Sequence, residues 1–358
     1  MKIKFGKLVL VAFTSSLFFV SCSTDNDDKQ TPLGTYDNGV LILNQGGFGN
    51  GNASISYLSD DFQTQQNNIF AIVNPTITLG DTAQDIGFIN DLAFIVLNVS
   101  NKIEIVNRYS MVHVATIATG LSNPRFITFS NGKGFVTNWG AGGSATDDYV
   151  AVLNLTTYAV SSTIPVAEGP ERIIENNNKL YVAHAGGFGF GNTVSVLDAT
   201  TNSLSTTISV GDVPNSLEIK DNALYVICGG KPSWSATETG GKFVKINVNN
   251  NTIANSIDFP ATAHPSNLDV DDNSFYYTVN AAIFKSTLAA TTLPTTALFT
   301  TTEQGVYGVY SFAVKNNKIF VGDALDFNSN GKVHVYSTAG TIEQSYTVGI
   351  IPAGFYFN

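Results

Sequence analysis

An apolar residue followed eight positions later by an aromatic one recurs along this chain every forty to fifty residues. The pairs are Ile86 and Phe94, Ile127 and Phe135, Ile173 and Tyr181, Leu217 and Tyr225, Leu268 and Tyr276, and Phe312 and Phe320. Self-similarity at this period restricts the fold to a stack or ring of repeated units, in which each unit buries its faces against its neighbours. A second set of segments repeats in step with the first: Val150-Ala151-Val152-Leu153, Val194-Ser195-Val196-Leu197, Val244-Lys245-Ile246 and Val333-His334-Val335-Tyr336. Each is followed by a polar turn and a Thr/Ser-rich strand, so each unit carries four short strands.

Proline punctuates the units. Pro124, Pro170, Pro214 and Pro265 are 46, 44 and 51 residues apart, and proline suits a strand start, where no ladder donor is needed. From Gly39 to Asn358 there are 320 residues, room for seven units of about 46. Four strands per unit around a channel is the propeller pattern. The first unit opens directly on a second-type strand, Gly39-Val40-Leu41-Ile42-Leu43-Asn44, and the chain ends on a first-type strand, Pro352-Ala353-Gly354-Phe355-Tyr356-Phe357-Asn358. The expected fold is therefore an all-β, seven-bladed β-propeller over 39–358, closed by its C-terminal strand. Closure of this kind removes free sheet edges.

The amino terminus has a different character. Lys2, Lys4 and Lys7 precede an apolar stretch, Leu8 to Val20, that is too short to span a bilayer comfortably. Phe19-Val20-Ser21-Cys22 resembles a bacterial lipobox, which implies a lipoprotein signal peptide over 1–21 and lipidation of Cys22. The polar run Ser23-Thr24-Asp25-Asn26-Asp27-Asp28-Lys29 cannot pack and predicts a flexible tether over 22–38. It also resembles the acidic signal that carries Bacteroidota lipoproteins to the outer face of the outer membrane. Without Lys2, Lys4 and Lys7, the 18 basic residues fall to 15 against 28 acidic ones, a formal charge of −13. That balance argues against nucleic acid as a partner. With Cys22 lipidated, Cys228 has no partner, and its apolar strand predicts an inert buried thiol.

The second strands, Phe135-Val136-Thr137-Asn138, Tyr181-Val182-Ala183-His184 and Tyr225-Val226-Ile227-Cys228, resemble the Tyr-Val-Thr-Asn repeats of YncE-like, surface-layer-type propellers. The opening stretch from Asn44 to Ser56 resembles a Bacteroidota lipoprotein branch of that group. Some members of that branch sit on TonB-dependent transporters and capture cobalamin. The resemblance covers nearly the whole mature chain. It implies a surface-displayed propeller, an outer-membrane transporter as a partner and a small ligand such as a corrinoid. Propellers host many unrelated activities, so the site has to be argued from residues.

The loops between second and third strands gather on one face and are long in blades one, three, four, five and seven. They carry Phe48, Trp139, Phe188, Phe190, Trp234 and Phe327 on glycine-rich backbone. Blades two and six have almost no loop there, so two walls and a groove are expected. Aromatics so placed suit a flat or sugar-like ligand or a protein partner. Of only three arginines, Arg125 and Arg172 open adjacent inner strands and belong at the channel mouth with Tyr310. There they either fork onto a ligand or brace the blades through Glu171. His184 and His264 are expected on the same side, in nonadjacent blades, whereas His113 and His334 on outer strands should be solvated. The predicted ligand-binding set is therefore Phe48, Arg125, Trp139, Arg172, His184, Phe188, Trp234 and Tyr310.

Asp326, Asn328 and Asn330 match the start of a calcium loop, but the twelfth position is Ser337 instead of the Glu an EF-hand needs. An Asn-Gly turn is the competing reading, and no other cofactor is expected. No nucleophile elbow, paired channel acids or phosphate loop emerges. The expected function is binding rather than catalysis: capture of a small ligand for, or docking onto, an outer-membrane transporter. The alternatives are a protein-binding scaffold, then a propeller lyase or lactonase. One test concerns the anchor. Cys22→Ala should release the protein from the outer-membrane fraction, because the acyl chains supply the membrane affinity. Retention of this variant after a high-salt wash would reject the anchor.

Overall fold

The eight-residue spacing is a β-hairpin. Ile127 lies opposite Val136 and Phe135 opposite Thr128, so the apolar and aromatic members sit diagonally on joined strands. Asn131-Gly132, Asn177-Asn178, Asp221-Asn222 and Asn316-Asn317 make the turns, with both residues of each at positive φ. Two-residue turns of the primed type need that conformation, and Asn, Asp and Gly adopt it at least cost.

The computed structural model describes residues 32–141 and 143–358. The expected signal peptide, Cys22 and most of the expected tether lie outside the described residues, as does Gly142 of one loop. The described chain forms seven four-stranded antiparallel sheets. From blade one to blade seven the innermost strands are Pro352–Phe357, Ala83–Ile89, Pro124–Ser130, Pro170–Asn176, Pro214–Lys220, Ser266–Asp271 and Ser311–Lys315. The fold is the seven-bladed propeller that the repeat predicts.

Closure is the one the two chain ends predict. The strand Pro352–Phe357 pairs with Gly39–Asn44, with Val40 opposite Phe357 and Leu43 opposite Gly354. Arg108 clasps the seam from blade two. Its Nε donates to Asn358 Oδ1 at 2.9 Å and a terminal nitrogen donates to the Phe357 carbonyl at 3.0 Å. Its guanidinium also lies 3.7 Å from the Phe88 ring centre. Asn358 Nδ2 in turn donates to the carbonyls of Tyr36 and Arg108.

The core is not one cluster but a ring of them, each drawn from two adjacent blades. Leu41, Leu43 and Ile55 of blade one meet Ile86, Ala93 and Ile95 of blade two. At the far side of the seam, Val40, Ile42 and Leu58 meet Phe320, Val333 and Val335 of blade seven. Between blades five and six the contact is aromatic, with Phe243 and Phe275 stacked at 4.3 Å. Burying a side chain of this size stabilises by roughly 1.5–3 kcal/mol. Cys228 packs between blades four and five as the apolar strand predicts, and burial pushes its thiol up to about 12.

Three details differ from the sequence reading. The packed unit begins at Leu33, inside the expected tether, because Tyr36 is buried and its N–H donates to the Tyr109 carbonyl. His334 is buried rather than solvated, with Nδ1 2.8 Å from Ser345 Oγ. His113 is only partly exposed and meets Glu104, which is itself buried, at 3.0 Å.

Removal of Pro352 to Asn358 should strip blade one of its innermost strand, expose the seam clusters and free Arg108. We expect aggregation or a melting temperature lowered far beyond the effect of trimming a frayed terminus. A truncated protein that melts within a few degrees of the intact chain would refute closure through this strand.

Candidate functional site: the loop face and channel mouth

Because strands within a blade are antiparallel, the loop between second and third strands and the corner entering the next blade share one end of the sheet. Pro124 and Tyr149 both lie opposite Asn138, which shows the arrangement in blade three. All the long loops therefore open on one face.

Aromatic contacts join these loops into two walls. Trp139 of blade three meets Phe188 of blade four edge-to-face at 5.8 Å, and Phe190 of blade four meets Trp234 of blade five at 5.6 Å. Across the ring, Tyr310 and Phe327 of blade seven meet at 5.7 Å, and the Tyr310 hydroxyl donates to Gln45 Oε1 of blade one at 2.6 Å. Phe48 is 82% exposed, Phe188 80%, Trp234 79% and Tyr307 77%. These are the four most exposed large apolar side chains among the described residues, and all four are on this face.

The two arginines of the predicted site part company. Arg125 makes a bidentate pair with Glu171 of the neighbouring inner strand, at 2.8 and 2.9 Å, and lies 4.1 Å from the Trp139 ring centre. It is a brace between blades three and four and supports the Trp139 wall from beneath. Arg172 points into the channel, stacks on Phe126 at 4.3 Å, and makes no hydrogen bond to a described residue.

The channel space beside Arg172 is about 390 Å³ and also takes in Glu218, Asp269 and Tyr356. Burial and the neighbouring Asp269 hold the Glu218 carboxyl far above the usual range, opposed by Arg172. Asp269 is raised as well, by burial, although it accepts the Val314 N–H at 2.8 Å. Asp85 is raised by burial against the pull of Arg172. It accepts from the Ile127 N–H and the Tyr356 hydroxyl, both at 2.9 Å. Most of these acids tie one inner strand to the next.

His184 lies beneath the face, not on it. It is 1% exposed, its Nε2 is 2.9 Å from Ser195 Oγ, and burial pushes its pKa down to about 4. A hydrogen-bonded serine and histidine have the spacing of a nucleophile and its base, but Ser195 is also 1% exposed and His184 Nδ1 meets no carboxylate. The pair is part of the blade interior. His264 is partly exposed and bridges the Gly229 carbonyl and Glu238.

The Asp326 carboxylate is taken up by its own loop. It accepts the N–H groups of Asn328 and Ser329 and the Ser329 hydroxyl. Asn328 Nδ2 donates back to the Asp326 carbonyl, and Asn330 begins the strand Asn330–Ser337. The turn is thus an Asp-initiated one over 326–329, and Asn330-Gly331, where the competing reading put an Asn-Gly turn, lies in the strand.

Sequence reasoning missed three residues of the face. Tyr307 stands between Gly305 and Gly308 in the corner between blades six and seven, and an aromatic flanked by glycines was its available signal. Asp148 and Glu168 line a cavity of about 290 Å³ beneath Trp139 and Phe188. Nothing in the local pattern marks them, because their proximity depends on two blades meeting.

The chain matches the family described as "Domain of unknown function (DUF5074)" over residues 38–357. No curated protein matches it. Among solved structures it is similar to a quinonprotein alcohol dehydrogenase-like protein from Bacteroides thetaiotaomicron, with a TM-score of 0.66 and 15% identity over 90% of this chain and 78% of that one. A functionally unknown protein from Desulfotomaculum acetoxidans gives 0.63 and 15%, over 89% and 98%. BamB from Moraxella catarrhalis gives 0.51 and 14%, over 87% and 83%. At such identities the likeness is one of fold.

The two arginines supply a test. Arg125→Ala leaves the half-buried Glu171 without its partner and should lower unfolding stability by ~1–3 kcal/mol. Arg172→Ala should cost less, since no hydrogen bond to a described residue is lost. Urea unfolding of both variants decides it, and the reverse order would reject the brace.

Proposed function

The chain belongs to the DUF5074 family, and from that premise and the loop face we propose that it is a binding propeller rather than an enzyme. The carrying observation is that the four most exposed large apolar side chains among the described residues, Phe48, Phe188, Trp234 and Tyr307, share one face. A soluble monomer rarely leaves such a set uncovered without a ligand or partner for it. Rigid aromatic rings give large contact area at low entropic cost, which suits capture.

In this reading Trp139, Phe188 and Trp234 form one wall of the receiving surface, and Phe48 with Tyr310 forms the other. Arg172 offers an uncommitted guanidinium at the channel for a carboxylate, phosphate or amide group. Arg125 holds the wall. The signal sequence and Cys22 would anchor the propeller in the outer membrane, facing the cell exterior. There it would take up a small molecule for an outer-membrane transporter, or dock on that transporter. The resemblance of the second strands and of the opening stretch supports a corrinoid-like ligand as the first to try.

Purification of the full-length lipoprotein from its own membrane, with mass spectrometry of what co-elutes, would identify the ligand or partner. Trp234→Ala and Phe48→Ala should then weaken its binding by ~1–3 kcal/mol each. Both side chains are exposed, so stability should move by no more than ~0.5 kcal/mol. Unchanged affinity in both variants would sink the assignment of this face.

A further inference from the structure

Blade six is short of outer strand, and the gap leaves a cavity at the rim of the ring. In blade five the third strand, Lys242–Asn247, is matched along all 6 residues by the outer strand Thr252–Asp258. In blade six the outer strand is only Phe299–Thr300, and it pairs with Ala282 and Ile283 alone of the third strand Ala282–Thr287. Phe284 and the residues after it have no outer neighbour in the sheet. A cavity of about 460 Å³ lies there, between blades five and six, lined chiefly by Phe259, Tyr277, Val279, Phe284, Leu293 and Pro294. None of the exposed aromatics of the loop face, Phe48, Phe188, Trp234 and Tyr307, takes part in it.

A column of aromatic rings runs through this blade interface and stops at the cavity. Tyr225 and Phe243 of blade five are followed by Phe275, Tyr277 and Phe284 of blade six. The steps between ring centres are 6.0, 4.3, 5.9 and 5.1 Å, and no pair of planes is tilted by more than 30°. Phe284 ends the column and is only partly buried, while Phe259 stands edge-on to Tyr277 at 5.2 Å. Tyr277 adds a polar handle. It is 1% exposed and lines the cavity, yet its hydroxyl has no hydrogen-bond partner among the described residues. Unlike the sealed Trp139 Nε1, this hydroxyl keeps contact with open space. Burial raises its proton affinity, and a buried tyrosine hydroxyl ordinarily finds a partner. The wall carries one charge, that of Asp258, which is exposed and paired with Lys242 at 3.1 Å. No Lys, Arg or His lines the cavity among the described residues.

We propose that this cavity is a second binding site, and that it takes an uncharged bicyclic aromatic compound bearing a hydrogen-bond acceptor. The ring system would extend the column against Phe284, and its carbonyl or ring oxygen would accept the Tyr277 O–H. The size follows from the volume, since an apolar cavity of ~150 Å³ holds one benzene and this one is larger. An anion would meet Asp258 and no cation, and an ammonium ion would lose its hydration against an apolar wall. A saturated ring would fill the space but forgo the ring-on-ring contact. The site stands apart from the loop face and does not depend on what that face binds.

Calorimetric titration of the full chain with coumarin tests this, with naphthoate and decalone as the charged and the saturated control. Coumarin should bind with a submillimolar Kd, and each control about ten-fold more weakly or worse. Tyr277→Phe keeps the ring and removes only an unpaired hydroxyl, so the melting temperature should hold while coumarin affinity falls about five-fold. Phe284→Leu keeps an apolar side chain but removes the end of the column, and should weaken coumarin several-fold while leaving decalone unchanged. Phe48→Ala and Trp234→Ala should not alter coumarin binding. No coumarin binding at millimolar concentration would overturn the proposal, as would equal binding of either control. Wild-type coumarin affinity in a folded Tyr277→Phe or Phe284→Leu variant would do the same. Loss of binding in Phe48→Ala or Trp234→Ala would place the probe on the loop face and reject this site. A chain that sediments as a dimer, and as a monomer once Phe284→Leu is made, would assign the cavity to a second copy and reject it as well.

Discussion

Everything in this molecule depends on the contact between neighbouring blades. Each sheet is apolar on both faces, as the buried runs Leu41 to Leu43, Phe94 to Leu97 and Leu224 to Cys228 show. A four-stranded sheet of that kind cannot be stable alone, because whichever face is left open costs the hydrophobic free energy of a whole cluster. Stacking in an open line would leave two terminal faces exposed. A ring leaves none, and the clusters at each blade interface are the direct expression of that solution. The seam has to be as good as any other interface, which is why the C-terminal strand joins blade one and why Arg108 and Asn358 bind it there.

The same constraint explains where variation is tolerated. Inner and second strands are fixed by packing on both sides, and their hairpins by the positive-φ turns. The loops at the opposite end carry no such duty. They run from the two-residue connection of blade six to the long glycine-rich stretch of blade five without altering the ring. Aromatic side chains placed there contact one another across blades, Trp139 to Phe188 and Phe190 to Trp234, so the loops of this face are held by their own aromatic residues.

The fold was legible because its signals are local and repeated: the eight-residue hairpin spacing, the prolines and the complementary strand types at the two ends. The face was legible for the same reason, since topology sends all the long loops to one side. What the sequence left open was how side chains meet between blades. Arg125 and Glu171 stand 46 residues apart at matching positions, so a pairing was foreseeable but its choice over a ligand was not. His184 was expected at the surface by its place at a strand end, yet it turns inward to Ser195. Tyr36 reads as tether because its neighbours are polar, and only the packed first blade shows where its ring goes. Asp148 and Glu168 sit on different loops, and their shared cavity exists only once two blades are side by side.

The buried acids of the propeller sort themselves by what they touch. Asp85 accepts a backbone N–H from the next blade and a tyrosine hydroxyl, and Asp269 accepts the Val314 N–H from its own neighbour. Each is thereby spent on holding inner strands together, and the raised proton affinity of both is the cost of placing them in the channel wall. Glu171 is matched by Arg125. Asp148 and Asp323 differ from all three: one oxygen of each accepts a backbone N–H, from Gly169 and from Leu325, and the other is buried with no hydrogen-bond partner among the described residues.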